Sequence, residues 1–219
     1  MGAAPARKPG RPKDPDRERR RREEILTAAA TIFAKHGYAE TDVQVIADAL
    51  QVGKGTIYRY FPTKRELFLA AVDRGLKDLD DSITGILTSR DIDPIELVRR
   101  AVRAYLKFFH DRPEMAELFI QERAAFRDRH TPLYFSPGYD KQSRDEPFVR
   151  ALITAGRLRD AKPEHLLMVT GDLLYGTVMS NHLSGRPSSP NAQADAILDV
   201  LFHGILSDRE RKRQKGNPS

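Results

Sequence analysis

Residues 41–68 read TDVQVIADALQVGKGTIYRYFPTKRELF. Thr41 is placed to cap a helix, with Gln44 three residues on as a capping box requires. Val43, Ile46, Ala47 and Leu50 then share one buried face. Gln51-Val52-Gly53 makes a tight turn into a second short helix, Lys54 to Phe61, which turns Ile57 and Phe61 inward. That helix carries Lys54, Thr56, Tyr58, Arg59 and Tyr60. Pro62 stops it, and Thr63 with Glu66 forms a second capping box that opens a longer helix. A helix this short fits a DNA major groove. Donors and aromatics on its outer face suit base edges and phosphates rather than catalysis.

Upstream, Ile25, Leu26, Ala29, Ile32 and Phe33 repeat as one apolar stripe, which predicts a helix from Arg17 to Lys35 ended by Gly37. Before it lies a basic arm. Residues 1–22 hold nine basic and three acidic side chains, so the whole chain's net charge of +6 resides there. Such a footprint beside a helix pair suits phosphate contact, although a solvated tail has the same composition. Residues 1–16 contain four prolines and are expected to be unstructured without DNA. Pro9-Gly10-Arg11-Pro12, flanked by Arg7, Lys8 and Lys13, resembles an AT-hook core, in which an extended segment lays arginine in a narrow minor groove.

Downstream, the helix from Thr63 runs to about Ile86. Asp93-Pro94 starts another, with Leu97, Ala101, Ala104, Tyr105, Phe108 and Phe109 on its apolar face. Pro113 starts the next, carrying Met115, Leu118, Phe119 and Phe126. Residues 129–147 hold three prolines and a glycine, and whether they line a pocket is open; a helix is expected from near Pro147 to Gly156. Pro163 and Pro190 open two final helices, the first apolar nearly all round and therefore buried on more than one side. No stretch alternates over a strand length, so the expectation is an all-α chain. Its divisions are a basic arm (1–18), a three-helix helix-turn-helix DNA-binding domain (19–79, motif 42–61), a larger helical domain (80–208) and a basic tail (209–219).

The chain has no cysteine, which excludes disulfides and thiolate metal sites. No apolar run reaches a membrane span and the basic start lacks a secretory apolar segment, so the expected compartment is the cytoplasm. No Ser-His-Asp set, phosphate-cradling glycine loop or catalytic carboxylate pair stands out. The expectation is a protein that is no enzyme and needs no metal or cofactor.

Ile46-Ala47, Val52, Lys54-Gly55-Thr56-Ile57-Tyr58, Tyr60-Phe61, Lys64 and Glu66-Leu67-Phe68, preceded by Phe33, Gly37 and Thr41, resemble the TetR/AcrR family of transcriptional regulators over about residues 19–79. Two positions depart from that pattern. Gln51 stands where the family usually has the turn glycine, and Gly53 where it has a Ser or Thr cap. The resemblance implies a homodimeric repressor on a palindromic operator, released by a small molecule of unknown identity. It implies DNA contacts from Thr41, Lys54, Gly55, Thr56, Tyr58, Arg59, Tyr60 and Lys64, beside Arg7, Lys8 and Arg11 of the arm. Tyr60 is equally readable as core.

The resemblance also implies an effector pocket and a dimer face. Tyr105, Phe109, Phe119, Phe126, Met168, Asp172, Tyr175 and Met179 are candidate pocket walls, although aromatics such as Tyr105, Phe109, Phe119 and Phe126 are more often ordinary core. Asp172 is the lone acid of its apolar run, readable as a ligand anchor or a buried inter-helix partner. Leu167, Gly171, Leu174, Val178, Ile197, Leu201, Phe202 and Ile205 are candidate dimer contacts. The rival readings are a helical enzyme or small-molecule carrier with structural N-terminal helices, and an architectural DNA protein using the arm alone.

Overall fold

The computed structural model describes residues 14–129, 131–136, 141–185 and 189–203. Within them the chain forms nine α-helices and one 3-10 turn, and no strand. The all-α expectation therefore holds. Residues 204–219, including Ile205, and the arm residues Arg7, Lys8 and Arg11 lie outside the described set.

Helix α1 spans Pro15–His36, starting earlier than Arg17 because Asp14 caps it, accepting the N–H groups of Asp16 and Arg17. It ends at Gly37, whose φ of 82° suits a residue without Cβ. Helices α2 (Val43–Ala49) and α3 (Lys54–Tyr60) follow. Ile25, Leu26, Phe33, Val43, Ile46, Ile57 and Phe61 bury together as the core of this unit. Between α2 and α3, Gln51 adopts φ 54°, the left-handed conformation that the turn demands and glycine usually supplies.

Helix α4 (Lys64–Leu87) is capped by Thr63, whose hydroxyl accepts the Glu66 N–H as the spacing predicts. It runs unbroken through the expected boundary at residue 79. Leu67, Phe68, Ala71 and Val72 bury against the N-terminal helices, and Leu76, Leu79 and Ile83 continue the face further along. Helices α5 (Pro94–Asp111) and α6 (Pro113–Ala125) pack on α4, and α6 also packs on α1. Gly75 lets α4 approach α6; the Met115 thioether fills the place a Cβ would take.

A 3-10 turn at Leu133–Phe135 leads to helix α7, Lys141–Thr154. The sequence places that start near Pro147, but the helix begins six residues earlier and holds Pro147 inside it. An internal proline forfeits one ladder hydrogen bond. Arg144 pairs with Asp145 and with Asp80 of α4, anchoring the first turns from outside. Helices α8 (Pro163–Ser184) and α9 (Pro190–His203) complete the second half, α9 lying mainly on α5 and α8 on α7.

Phe126 joins the two halves. Its ring lies 4.8 Å from Tyr38 and 5.5 Å from Phe68 between centroids, with the Arg65 guanidinium over it at 5.0 Å. Phe126→Ala should therefore cost about 3–5 kcal/mol, read as a lower urea midpoint. Gln51→Gly should raise stability by up to about 1 kcal/mol, a thermal midpoint higher by about 2–4 °C. A lower midpoint would show that the Gln51 side chain contributes more than its backbone conformation costs.

Candidate nucleic-acid interface and effector cavity

The α2–α3 pair is held by one carboxylate. Asp42, not Thr41, is the N-cap of α2, its Oδ1 accepting the Gln44 N–H at 2.8 Å. The same oxygen accepts the Lys54 ammonium at 2.6 Å, which fixes the start of α3 to the start of α2. The Gln44 amide first, and then Lys54, hold the Asp42 carboxyl below its usual range. The hydrogen bond to Asp42 in turn raises Lys54. Both groups are thus charged at neutral pH. Thr41 is 3% exposed and donates to the Gly37 carbonyl at 2.6 Å. Its hydroxyl closes the α1–α2 corner and is not presented to a phosphate.

Outward from that clamp, Gly55, Tyr58 and Arg59 are exposed, Tyr58 at 37%, while Ile57 is fully buried. Thr56 and Tyr60 are half-buried, and the Arg59 guanidinium lies 5.3 Å from the Tyr60 ring centre. Lys64 is occupied elsewhere: it donates to the Ala39 carbonyl at 2.9 Å and covers the Tyr38 ring. Gly53 caps α3 without a side-chain bond, as its lack of an oxygen requires.

The second half forms a cavity of about 610 Å³, partly open to solvent, between α4, α5, α7, α8 and α9. Tyr105, Met168, Asp172 and Tyr175 of the expected pocket set line it. Asp172 stands exposed at its edge rather than buried within the apolar run. The others of that set lie off this cavity. Phe109 packs among Tyr105, Phe108 and Phe119, Phe126 sits at the joint described above, and Met179 packs against the core. Phe119 lines a smaller neighbouring cavity.

Part of the expected dimer set packs within the protomer. Leu174, Val178 and Ile197 are buried within the protomer, and Leu167, Gly171, Leu174, Leu201 and Phe202 line the large cavity. The reason is angular. Helix α8 is apolar on both sides, so composition alone cannot say which stripe meets α5. The stripe left outside carries Val169 (56% exposed), Leu173 and Leu183 (74% exposed), with Val200 on α9.

Other cavity residues come from the stretch with no readable pattern. Tyr134 and Phe135 of the 3-10 turn line the cavity, as does Asp145, so residues 129–147 do contribute to it. The Tyr134 and Tyr105 hydroxyls lie 2.7 Å apart in a shared hydrogen bond. Burial raises both phenols, Tyr134 to about 12. Glu122 is buried too, and its Oε1 accepts the Leu133 N–H at 2.9 Å, tying the turn to α6. Glu122 had a signal: it falls on the apolar stripe of Met115, Leu118, Phe119 and Phe126.

Polar bonds also link the halves. Gln121 of α6 donates to the Phe33 carbonyl of α1 at 3.0 Å. Arg65 pairs with Asp128 at 2.7 Å, and Asp78 of α4 joins Arg74 to Arg112. Among the described residues no group of acids and histidines is arranged to hold a metal ion, and no helix is long and apolar enough to cross a membrane.

Residues 25–71 match the family model described as bacterial regulatory proteins, tetR family. An HTH-type transcriptional regulator of Lactococcus lactis subsp. lactis is 31% identical over 121 residues, 52% of this chain and 61% of its own length. The match thus spans less than two thirds of that relative. The HTH-type transcriptional regulator EthR of Mycolicibacterium smegmatis is 26% identical over 201 residues, 90% of this chain and 88% of its own. The structure of FadR from Bacillus subtilis in complex with stearoyl-CoA shares the fold, with a TM-score of 0.66 at 16% identity, covering 84% of this chain and 99% of that one. A clamped helix pair with Tyr58 and Arg59 outward lies inside the segment that matches: residues 25–71 carry the DNA-binding segment of the tetR family of bacterial regulatory proteins, and the chain is similar to transcriptional regulators over most of its length.

Proposed function

We propose that this regulator is a cytoplasmic homodimeric repressor that holds a palindromic operator and lets go when a small molecule fills the large cavity. The observation that carries this reading is α4. One end of that helix buries Leu67 and Phe68 against the DNA-reading helices, and the other supplies Ile83 and Leu87 to the cavity wall. A ligand that binds one setting of α4 better than another shifts the population toward it. In a dimer this changes the distance between two α3 helices, which must match major grooves about 34–36 Å apart.

In this reading residues 19–79 form the reading unit, residues 80–208 the effector and dimer unit, and residues 1–18 and 209–219 basic extensions. Tyr58 and Arg59 read bases, with Thr56, Gly55 and Lys54 close to the backbone. Arg59 suits a bidentate pair to guanine, worth about 1–3 kcal/mol of discrimination. Arg7, Lys8 and Arg11 would add affinity through phosphate and minor-groove contact. Subunits meet through the exposed stripe of α8 and α9. The stearoyl-CoA held by the Bacillus subtilis protein supports an effector site in a fold of this kind. An architectural protein using the arm alone is separated from this reading by competition with random DNA.

Arg59→Ala should relax the preference at one base position in each half-site when operators are selected from random DNA. An unchanged preference would remove α3 as the reader. Leu173→Glu places a charge on the exposed stripe, where an unpaired charge is strongly disfavoured on burial. It should give monomers by sedimentation that lose the palindromic site and keep weak binding to random DNA. Leu201→Glu should instead alter the cavity. A Leu173→Glu protein that stays dimeric would place the interface elsewhere.

A further inference from the structure

The charged lining of the large cavity is acidic. Among the described residues its charged side chains are Asp145 and Asp172, and no lysine, arginine or histidine lines it. Asp145 is paired with Arg144, and Asp172 stands exposed at the edge. The remainder is apolar or hydroxylic. A carboxylate or phosphate entering this space would lose its hydration and find no cation in return.

A second cavity of about 350 Å³ adjoins the first. Tyr134, Phe135 and Tyr175 line both and mark where the two meet. Phe135 is the exposed member of the three. Glu122, 2% exposed, lines the second cavity. Its Oε1 accepts the Leu133 N–H, and Arg129 Nε lies 3.6 Å from the same oxygen, outside hydrogen-bond reach. Its Oε2 is buried with no partner. Folded proteins rarely leave such an atom unpaired, and a functional role is one established reason.

We infer that the effector is an uncharged, elongated apolar molecule ending in a hydroxyl, which donates to Glu122 Oε2 while the apolar body fills the larger cavity. This rests on the ligand-release reading and names its ligand class. A hydroxyl satisfies the orphaned oxygen without adding charge. An ammonium would crowd Arg129 and Arg123, the latter also on the smaller cavity. A carboxylate would meet Glu122 itself, to which Arg129 already answers at 3.6 Å, with Asp145 and Asp172 along the way and Arg123 alone to offset them. Burial also raises the Glu122 carboxyl, so the site repays a donor that stabilises its charged form.

The test is calorimetric titration of the full-length protein at neutral pH with 1-decanol, decanoate and decylammonium, paired with release from a selected operator. The alcohol should bind at least about tenfold tighter than either ion, a gap of about 1.4 kcal/mol. Glu122→Gln keeps the acceptor for Leu133 and puts an amide donor where Oε2 stood. It should erase the preference for the alcohol and improve decanoate. The wild-type ranking reads the same property should that variant fail to fold. Equal or tighter binding of either ion, an unaltered ranking in Glu122→Gln, or no binding by any of the three overturns the inference. Release of DNA by decanoate would do so while leaving ligand release standing. Tight alcohol binding that leaves the operator complex intact would uphold the cavity assignment and overturn ligand release.

Discussion

The structure depends on one apolar face of one helix. Along α4, Leu67, Phe68, Val72, Leu76, Leu79 and Ile83 are buried in sequence, so a single stripe carries one continuous core from the N-terminal helices to the helices of the second half. The N-terminal helices cannot close without its first turns, and the cavity cannot close without its last. Phe126 reinforces the joint by filling the space between Tyr38 and Phe68. Interiors packed in this way do not deform smoothly, so a displacement at one end moves the helix as a unit. The polar links, Gln121 to Phe33 and Asp78 to two arginines, run beside this stripe and resist sliding.

The reading unit was largely legible in the sequence, because its signals are local. Helix caps, a proline stop and a 3.6-residue repeat depend on residues a few positions apart, and they located α1 to α4 well. One local error is instructive. Thr41 and Asp42 are both good caps; the choice fell to Asp42 because it also takes Lys54, a partner twelve residues away. Thr41 was then left to bond the Gly37 carbonyl within the core. The penalty at Gln51 was foreseeable for the same local reason, and the backbone does adopt the conformation that the turn requires.

The cavity was legible only in part. Tyr105 stands on the apolar face of α5, and Met168, Asp172 and Tyr175 share one face of α8, so helical spacing alone brings these four to attention. Tyr134 and Phe135 lie in a segment whose prolines hide any periodicity, and the contact that places them, Glu122 to the Leu133 amide, is made between separate elements. Helix α8 shows the limit most clearly. An apolar sequence all round fixes burial on two sides but not which side faces which neighbour, and Leu174 and Val178 went inward toward the protomer core.

That arrangement makes α8 a wall one helix thick, with Met168 and Tyr175 facing the cavity and Val169 and Leu173 facing out. Whatever seats itself on the outer stripe therefore leans on the same backbone as whatever occupies the inside. Linkage makes such coupling reciprocal. If a bound effector loosens the association of two subunits, association must loosen the effector by the same factor. The concentration of protein itself then becomes a setting of the switch: a cell holding more of this regulator would need more effector to empty the same operator.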